Sequence, residues 1–159
     1  MRFAKTLALI AGAVLAAGTA LPAQAAGPAR VDLRGVPMGS FVVDATGTAH
    51  LSGNVTGKPF DGTYTPVLTA DDGSLPERGV CEPATATVDV TGERGRYLQL
   101  VGTGRVCGEY SGPTWAVDHR FVGRYQVVSS SVRSARGTDG WYSLILATEG
   151  RANLEAIDT

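Results

Sequence analysis

The feature that most limits the possible folds is a strict alternation of apolar and polar residues, which recurs in short runs along the chain. The longest run is WAVDHRFVGRYQVV, residues 115 to 128, in which Phe121, Tyr125 and Val127 share one face and Arg124 lies on the other. Successive side chains of a β-strand point to opposite faces of the sheet, so this period of two predicts a strand with one buried face.

Similar runs fill the chain from residue 31 onward, separated by Gly, Asp, Pro and Ser. No stretch keeps the i, i+3, i+4, i+7 spacing of an amphipathic helix for three turns. Three pairs of runs predict hairpins, with turns at residues 45–47, 92–95 and 148–150. About eight to ten short strands predict an all-β domain, in the first place an antiparallel β-sandwich, with a small antiparallel β-barrel as the alternative.

Two runs depart from simple alternation. Pro66 lies inside the run PFDGTYTPVLT and has no backbone N–H to donate, which predicts an edge strand or a bulge. The run WYSLILA, residues 141 to 147, is apolar on both faces. It predicts either a central strand covered on both sides or a place where another surface docks.

The first 25 residues have the pattern of a secretory signal peptide, with basic residues Arg2 and Lys5, a short apolar run and a final Ala-x-Ala. The apolar run is shorter than the roughly 20 residues that a bilayer requires. We therefore expect residues 1–25 to be cleaved and residues 26–30 to form a flexible lead. Residues 31–159 should then form a single secreted, extracellular all-β domain without a membrane span.

The charge of the chain argues against nucleic acid as a partner. Arg2 and Lys5 are two of 14 basic residues, so the mature chain would keep 12 basic against 15 acidic residues, a net charge near −3. Nucleic-acid binding needs a basic patch that this balance and spacing do not indicate. The preference for Arg over Lys, with abundant Ala, Gly, Val and Thr, is typical of a bacterial protein from a GC-rich genome.

Cys81 and Cys107 are the only cysteines. An even count in an exported chain predicts a disulfide bond. Each cysteine lies just outside one arm of the second predicted hairpin, where the two outer ends meet, so the pairing suits the geometry. A catalytic cysteine would need a neighbouring histidine and a reducing compartment, so no catalytic residue is assigned.

The two histidines, His50 and His119, do not indicate a metal site. Zinc needs three or four ligands, and the chain has no His-x-His or Cys-x-x-Cys spacing. We therefore predict neither a metal nor a cofactor. His119 lies on the apolar face of its strand, which suits a hydrogen-bonded residue at the edge of a core or a barrel mouth.

Aromatic residues are concentrated in the C-terminal half of the chain. They could simply fill a core, because aromatic side chains bury large areas. A sharper hypothesis is a ligand site lined by Tyr125 and Trp141, with His119, Arg120 and Arg124 as its polar groups, because barrel mouths and sandwich ends often bind ligands.

Three functions are compatible with these patterns. The leading hypothesis is a secreted, non-enzymatic β-domain that binds an extracellular small molecule, glycan or protein. The alternative is a small barrel enzyme, similar to a cyclase or isomerase, that shapes its substrate in an aromatic cavity containing His119. A further alternative is a secreted protease inhibitor that presents Arg78 from the segment PERGVCEP.

Overall fold

The computed structural model describes residues 31–35, 39–110, 117–147 and 151–158. The expected signal peptide and lead, and the predicted turn at 148–150, lie outside these ranges. Within them, no helical segment has the length and apolar character needed to cross a membrane. The strands are β1 (Asp32–Gly35), β2 (Gly39–Val43), β3 (Ala49–Lys58), β4 (Gly62–Ala70), β5 (Cys81–Gly92), β6 (Tyr97–Tyr110), β7 (Val117–Ser130), β8 (Asp139–Ala147) and β9 (Arg151–Asp158).

These strands form one closed antiparallel barrel, so the all-β prediction is confirmed. From β2 to β9 each strand pairs with the next along the chain. Both β1 and β2 pair with β3 on one side and with β9 on the other, so the two short strands share one position and close the sheet. Of the two architectures that the sequence predicts, the structure therefore has the alternative, the barrel.

Side chains fill the interior of the barrel. The largest fully buried residues are Tyr64, Phe121, Tyr125 and Tyr142. The ring of Tyr142 lies 5.1 Å from that of Phe121 and 5.8 Å from that of Tyr125, measured between centroids. Because β1 and β2 share one position, the barrel has eight strand positions around its circumference. The interior of a barrel of this size is just wide enough for its own side chains, and here the aromatic rings occupy that space.

Loops cover both ends of the barrel. At one end, the connection between β4 and β5 places Leu75 against the core and buries Pro76. The Nε2 atom of His119 donates a hydrogen bond to the carbonyl oxygen of Pro76, at 3.0 Å. At the opposite end, Phe60 and Ala135 are buried. His119 is therefore a partly buried, hydrogen-bonded residue at a barrel mouth, as its position in the sequence predicts.

The prediction of an edge strand or bulge at Pro66 is wrong. Its strand, β4, pairs with β3 on one side and β5 on the other, without a change of register. Pro66 lies opposite Val88 of β5, and the ladder with β3 has no pairs at residues 65 and 66. The N–H that Pro66 lacks is thus not needed in the ladder between β3 and β4, which is interrupted at this position. Because the barrel is closed, β4 still has a neighbouring strand on each side.

Candidate functional site

The outer wall of β6, β7 and β8 carries the most chemically distinctive surface of the described residues. Neighbouring residues on each of these strands point into the core, so the residues between them point outward. The strand register aligns the outward residues in three rows that cross the sheet: Cys107, Arg120 and Ile145; Arg105, Val122 and Ser143; Thr103, Arg124 and Trp141.

A depression of about 520 Å³ lies on this wall, lined by residues of β6 and β7 and by Trp141. The backbones of Gly104 and Gly123 form part of its lining and pair with each other. A Cβ atom on Gly104 would lie only 2.2 Å from the carbonyl oxygen of Val122, so this close approach requires glycine. The volume falls in the range of about 300 to 1,000 Å³ that is typical of small-molecule sites.

Trp141 is the central aromatic residue of this wall. Its side chain is 50% exposed, whereas that of the next residue, Tyr142, is only 2% exposed. Trp141 also lines a second depression of about 110 Å³, together with Glu155 and Ile157 of β9. The indole ring therefore stands between an arginine-rich depression and a smaller one that contains a carboxylate.

Arg124 is held against Trp141 by two contacts. Its guanidinium carbon lies 5.5 Å from the centre of the indole ring, within the range of a cation–π interaction. Its Nη2 atom donates a hydrogen bond to Oδ2 of Asp139, at 2.9 Å. Asp139 and Trp141 are two residues apart on the outer face of β8, so a single arginine contacts both.

The disulfide bond between Cys81 and Cys107 borders the same depression, which Cys107 lines. The predicted pairing is confirmed, and the two residues lie inside β5 and β6 rather than just outside them, directly opposite each other with their Cα atoms 4.0 Å apart. Nη2 of Arg105 donates a hydrogen bond to the carbonyl oxygen of Cys81, at 3.2 Å. The disulfide bond therefore joins β5 to β6, the strand that carries Arg105.

The structure divides the five predicted ligand residues between the two faces of the barrel wall. Arg120, Arg124 and Trp141 line the same outer depression. Tyr125 points inward, where it is 1% exposed and its hydroxyl group has no hydrogen-bond partner. Burial, with a smaller contribution from nearby carboxylates, raises the pKa of Tyr125 well above its ordinary value. His119 also points away from the depression, toward the loop at the barrel end.

The sequence pattern already separates these two groups. His119 and Tyr125 have odd numbers on β7, and Arg120 and Arg124 have even numbers, so an alternating strand cannot bring all four to one site. The alternation of the sequence does not single out Arg105 and Val122. They join the site only through the register of three strands, which alternation within a single strand does not contain.

Another depression, of about 550 Å³, lies on the wall of β3, β4 and β5. Its lining residues include three threonines and the charged residues Asp61, Glu93 and Arg96, without an aromatic ring. It therefore offers polar contacts but no aromatic platform, which makes it a weaker candidate than the wall around Trp141.

The other predicted features lie elsewhere. Arg78 is exposed on a turn closed by a hydrogen bond from the N–H of Val80 to the carbonyl oxygen of Glu77, at 3.0 Å. The N–H of Gly79 also donates to the carbonyl oxygen of Gly108, at 2.9 Å, so this turn is attached to β6. Across the described ranges, no three histidine, cysteine or acidic side chains lie close enough together to hold a metal ion.

No protein-family model, no curated protein and no solved structure matches the chain.

Proposed function

We propose that this chain is a secreted, extracellular binding domain without catalytic activity, and that it holds its ligand on the outer wall of β6, β7 and β8. The observation that carries this proposal is the position of Trp141, half-exposed beside a depression of ligand size. This placement agrees with the second of the two interpretations of WYSLILA, a strand on which another surface docks.

The exposed apolar area around Trp141 supports a role of this residue in binding a ligand rather than in stabilising the fold. Val122 and Ile157, which line the smaller depression with it, are 45% and 41% exposed. A ligand that covers these three side chains would remove apolar area from water, worth about 25 cal/mol per Å². The polar groups around them can orient that ligand, which is the usual composition of a binding site.

The packed interior favours an outer site over an inner one. An enzyme that shapes its substrate in an aromatic cavity needs empty space beside its aromatic residues. Here the rings of Phe121, Tyr125 and Tyr142 contact one another in the barrel centre. Secretion is supported by the leader pattern of residues 1–25 and agrees with the disulfide bond, which is stable in an oxidising compartment.

A binding screen tests the proposal. The purified mature protein would be exposed to arrays of glycans, metabolites and bacterial surface proteins, and every hit would be repeated with Trp141→Ala. We expect at least one ligand whose affinity falls at least about tenfold in this variant, because a central aromatic contact contributes more than about 1.4 kcal/mol.

Tyr97→Ala is the matched control. Tyr97 is 44% exposed, close to the value for Trp141, and it lines neither of the two depressions beside Trp141. The proposal requires Tyr97→Ala to bind as tightly as the unsubstituted protein. If every ligand found binds Trp141→Ala as tightly as the unsubstituted protein, or if the screen finds no ligand, a site on this wall is refuted.

A further inference from the structure

We infer that the ligand of this wall is an acidic carbohydrate, whose anionic group binds Arg105 and Arg120 while a sugar ring covers Val122 and Trp141. This inference rests on the proposed function and names the chemical class of its ligand.

The charge of the depression is positive although the chain as a whole is slightly acidic. Arg105, Arg120 and Arg124 line it, against a single carboxylate, that of Glu109. Arg124 is paired with Asp139, whereas neither Arg105 nor Arg120 takes part in the salt bridges found among the described residues. Two exposed guanidinium groups without a carboxylate partner are suited to an anionic ligand, since arginine binds carboxylate, sulfate and phosphate through paired hydrogen bonds.

The apolar centre lies on one side of these two arginines. Val122 is flanked on β7 by Arg120 and Arg124 and pairs with Arg105 of β6, while Trp141 pairs with Arg124. A sugar ring has an apolar face of C–H groups and a polar edge of hydroxyl groups. It can therefore cover Val122 and Trp141 with its face while its edge reaches the guanidinium groups.

The spacing of the groups suits an oligosaccharide better than a single sugar. Strands lie about 4.8 Å apart and rise about 3.3 Å per residue. From the register, the Cα atoms of Trp141 and Arg105 are then about 12 Å apart, and those of Trp141 and Arg120 about 14 Å apart. A ligand that touches all three side chains must extend across the strands.

The direction of the ligand follows from the smaller depression. On the far side of Trp141, Glu155 provides a carboxylate and Ile157 an apolar surface. An anionic group would be repelled there and attracted on the side of β6 and β7. The charged unit of the ligand should therefore lie over Arg105 and Arg120, and a neutral unit over Trp141 and Ile157.

A closed barrel makes a peptide a less suitable ligand. Extended peptides commonly bind by adding a strand to a free sheet edge, where backbone groups supply most of the affinity. On this wall β6, β7 and β8 each have a paired strand on both sides. The wall thus has no free strand edge, and the groups that can bind a ligand include the ring of Trp141, guanidinium groups and the exposed Thr103.

The test compares ligands that differ in one property at a time. Isothermal titration of the mature protein would use a hyaluronan hexasaccharide, in which glucuronate alternates with a neutral sugar, its uncharged methyl ester, a hexasaccharide with sulfate on alternate units and a hexaglutamate peptide. We expect the carboxylated or the sulfated hexasaccharide to bind, depending on whether carboxylate or sulfate fits better. We also expect the ester and the peptide to bind at least about tenfold more weakly than the better acidic sugar, since charge-assisted hydrogen bonds and ring contacts would each be lost.

Variants locate the binding. Arg120→Gln and Arg105→Gln should each weaken binding of the acidic sugar by about tenfold or more, and so should Trp141→Ala. Arg133→Gln is the matched control, because Arg133 is exposed at the opposite end of β7 and does not line the depression. Thermal unfolding of each variant verifies that the fold is intact.

The outcomes separate this inference from the proposed function. If the ester or other neutral sugars bind as tightly as the acid, and binding still needs Trp141, the wall is a ligand site but the acidic class is wrong. Equal binding of hexaglutamate would show that charge alone suffices and would refute a carbohydrate. If no acidic sugar binds, the inference is wrong. The proposed function is then also wrong only if the wider screen finds no ligand whose binding is weakened by Trp141→Ala.

Discussion

Arg124 and Trp141 are directly opposed on β7 and β8, and the guanidinium carbon of the arginine lies 5.5 Å from the centre of the indole ring. The hydrogen bond from Arg124 to Asp139 fixes the arginine in this position. Both residues lie on strands that are paired on both sides, so the ring is presented by a rigid support. Binding groups that are held in place in this way lose little conformational entropy when a ligand arrives.

The neighbouring residues Trp141 and Tyr142 should differ sharply in their contribution to stability. Trp141→Ala removes a half-exposed ring and should cost no more than about 1 kcal/mol of unfolding free energy. Tyr142→Ala removes a ring that packs against Phe121 and Tyr125 and should cost about 3 to 5 kcal/mol. Urea unfolding of both variants measures the difference, and equal losses would mean that Trp141 is structural.

The alternation of the sequence determines which side chains face the core. It correctly predicts that Phe121, Tyr125 and Val127 are buried and that Arg120 is exposed. The disulfide bond is also correctly predicted, from the even number of cysteines, the expected export and the local geometry of a hairpin. Whether a side chain points into the core or outward depends only on its position along its own strand, so the sequence of one strand contains this information.

The barrel and the site depend on contacts between distant parts of the chain. Closure needs β1 and β2 to pair with β9, for example Leu33 with Ala156, and no local pattern encodes that partner. The same holds for the row of Arg105, Val122 and Ser143, which joins three strands. Sandwich and barrel share the same alternation, so the sequence leaves both open.

Asp44 should make the stability of the barrel sensitive to acid. Its carboxylate accepts hydrogen bonds from the side chain and N–H of Thr46, from His50 and from the N–H of Thr48. These bonds, chiefly those from Thr46 and His50, hold the pKa of Asp44 well below its ordinary value. The stabilisation is therefore complete above the unfolded-state pKa of about 3.9 and is lost as the pH falls toward the lower folded-state pKa.

Asp44→Asn tests this dependence. The free energy of unfolding in urea, measured from pH 7 to pH 2, should fall more steeply below about pH 4 in the unsubstituted protein than in the variant. The two curves should converge at the acid end, because protonated Asp44 and asparagine are both uncharged. Parallel curves over the whole range would show that the carboxylate does not stabilise the turn between β2 and β3.

The buried tyrosine hydroxyls should respond differently to removal. Tyr64 donates a hydrogen bond to the carbonyl oxygen of Ala152 at 3.2 Å, and Tyr142 donates one to the carbonyl oxygen of Ala86 at 3.0 Å. Tyr64→Phe and Tyr142→Phe should each cost about 1 kcal/mol, since a buried acceptor loses its donor. Tyr125→Phe should be neutral or stabilising, because its hydroxyl is buried without a partner. A comparable loss in Tyr125→Phe would contradict this assignment and indicate a bound water.

Loss of the disulfide bond should destabilise the whole barrel as well as the wall. Cys81 and Cys107 are 26 residues apart, and closing such a loop is worth about 3.5 kcal/mol in the chain-entropy description. The Cys81→Ser, Cys107→Ser double variant should therefore lose about 2 to 5 kcal/mol of unfolding free energy in urea. Reduction with dithiothreitol should lower the stability of the unsubstituted protein toward this value and leave the double variant unchanged. Full stability of the double variant, or a free thiol in the purified protein, would show that the bond does not brace β5 against β6. In that case Arg105 would have to be held in place by the strand ladder alone.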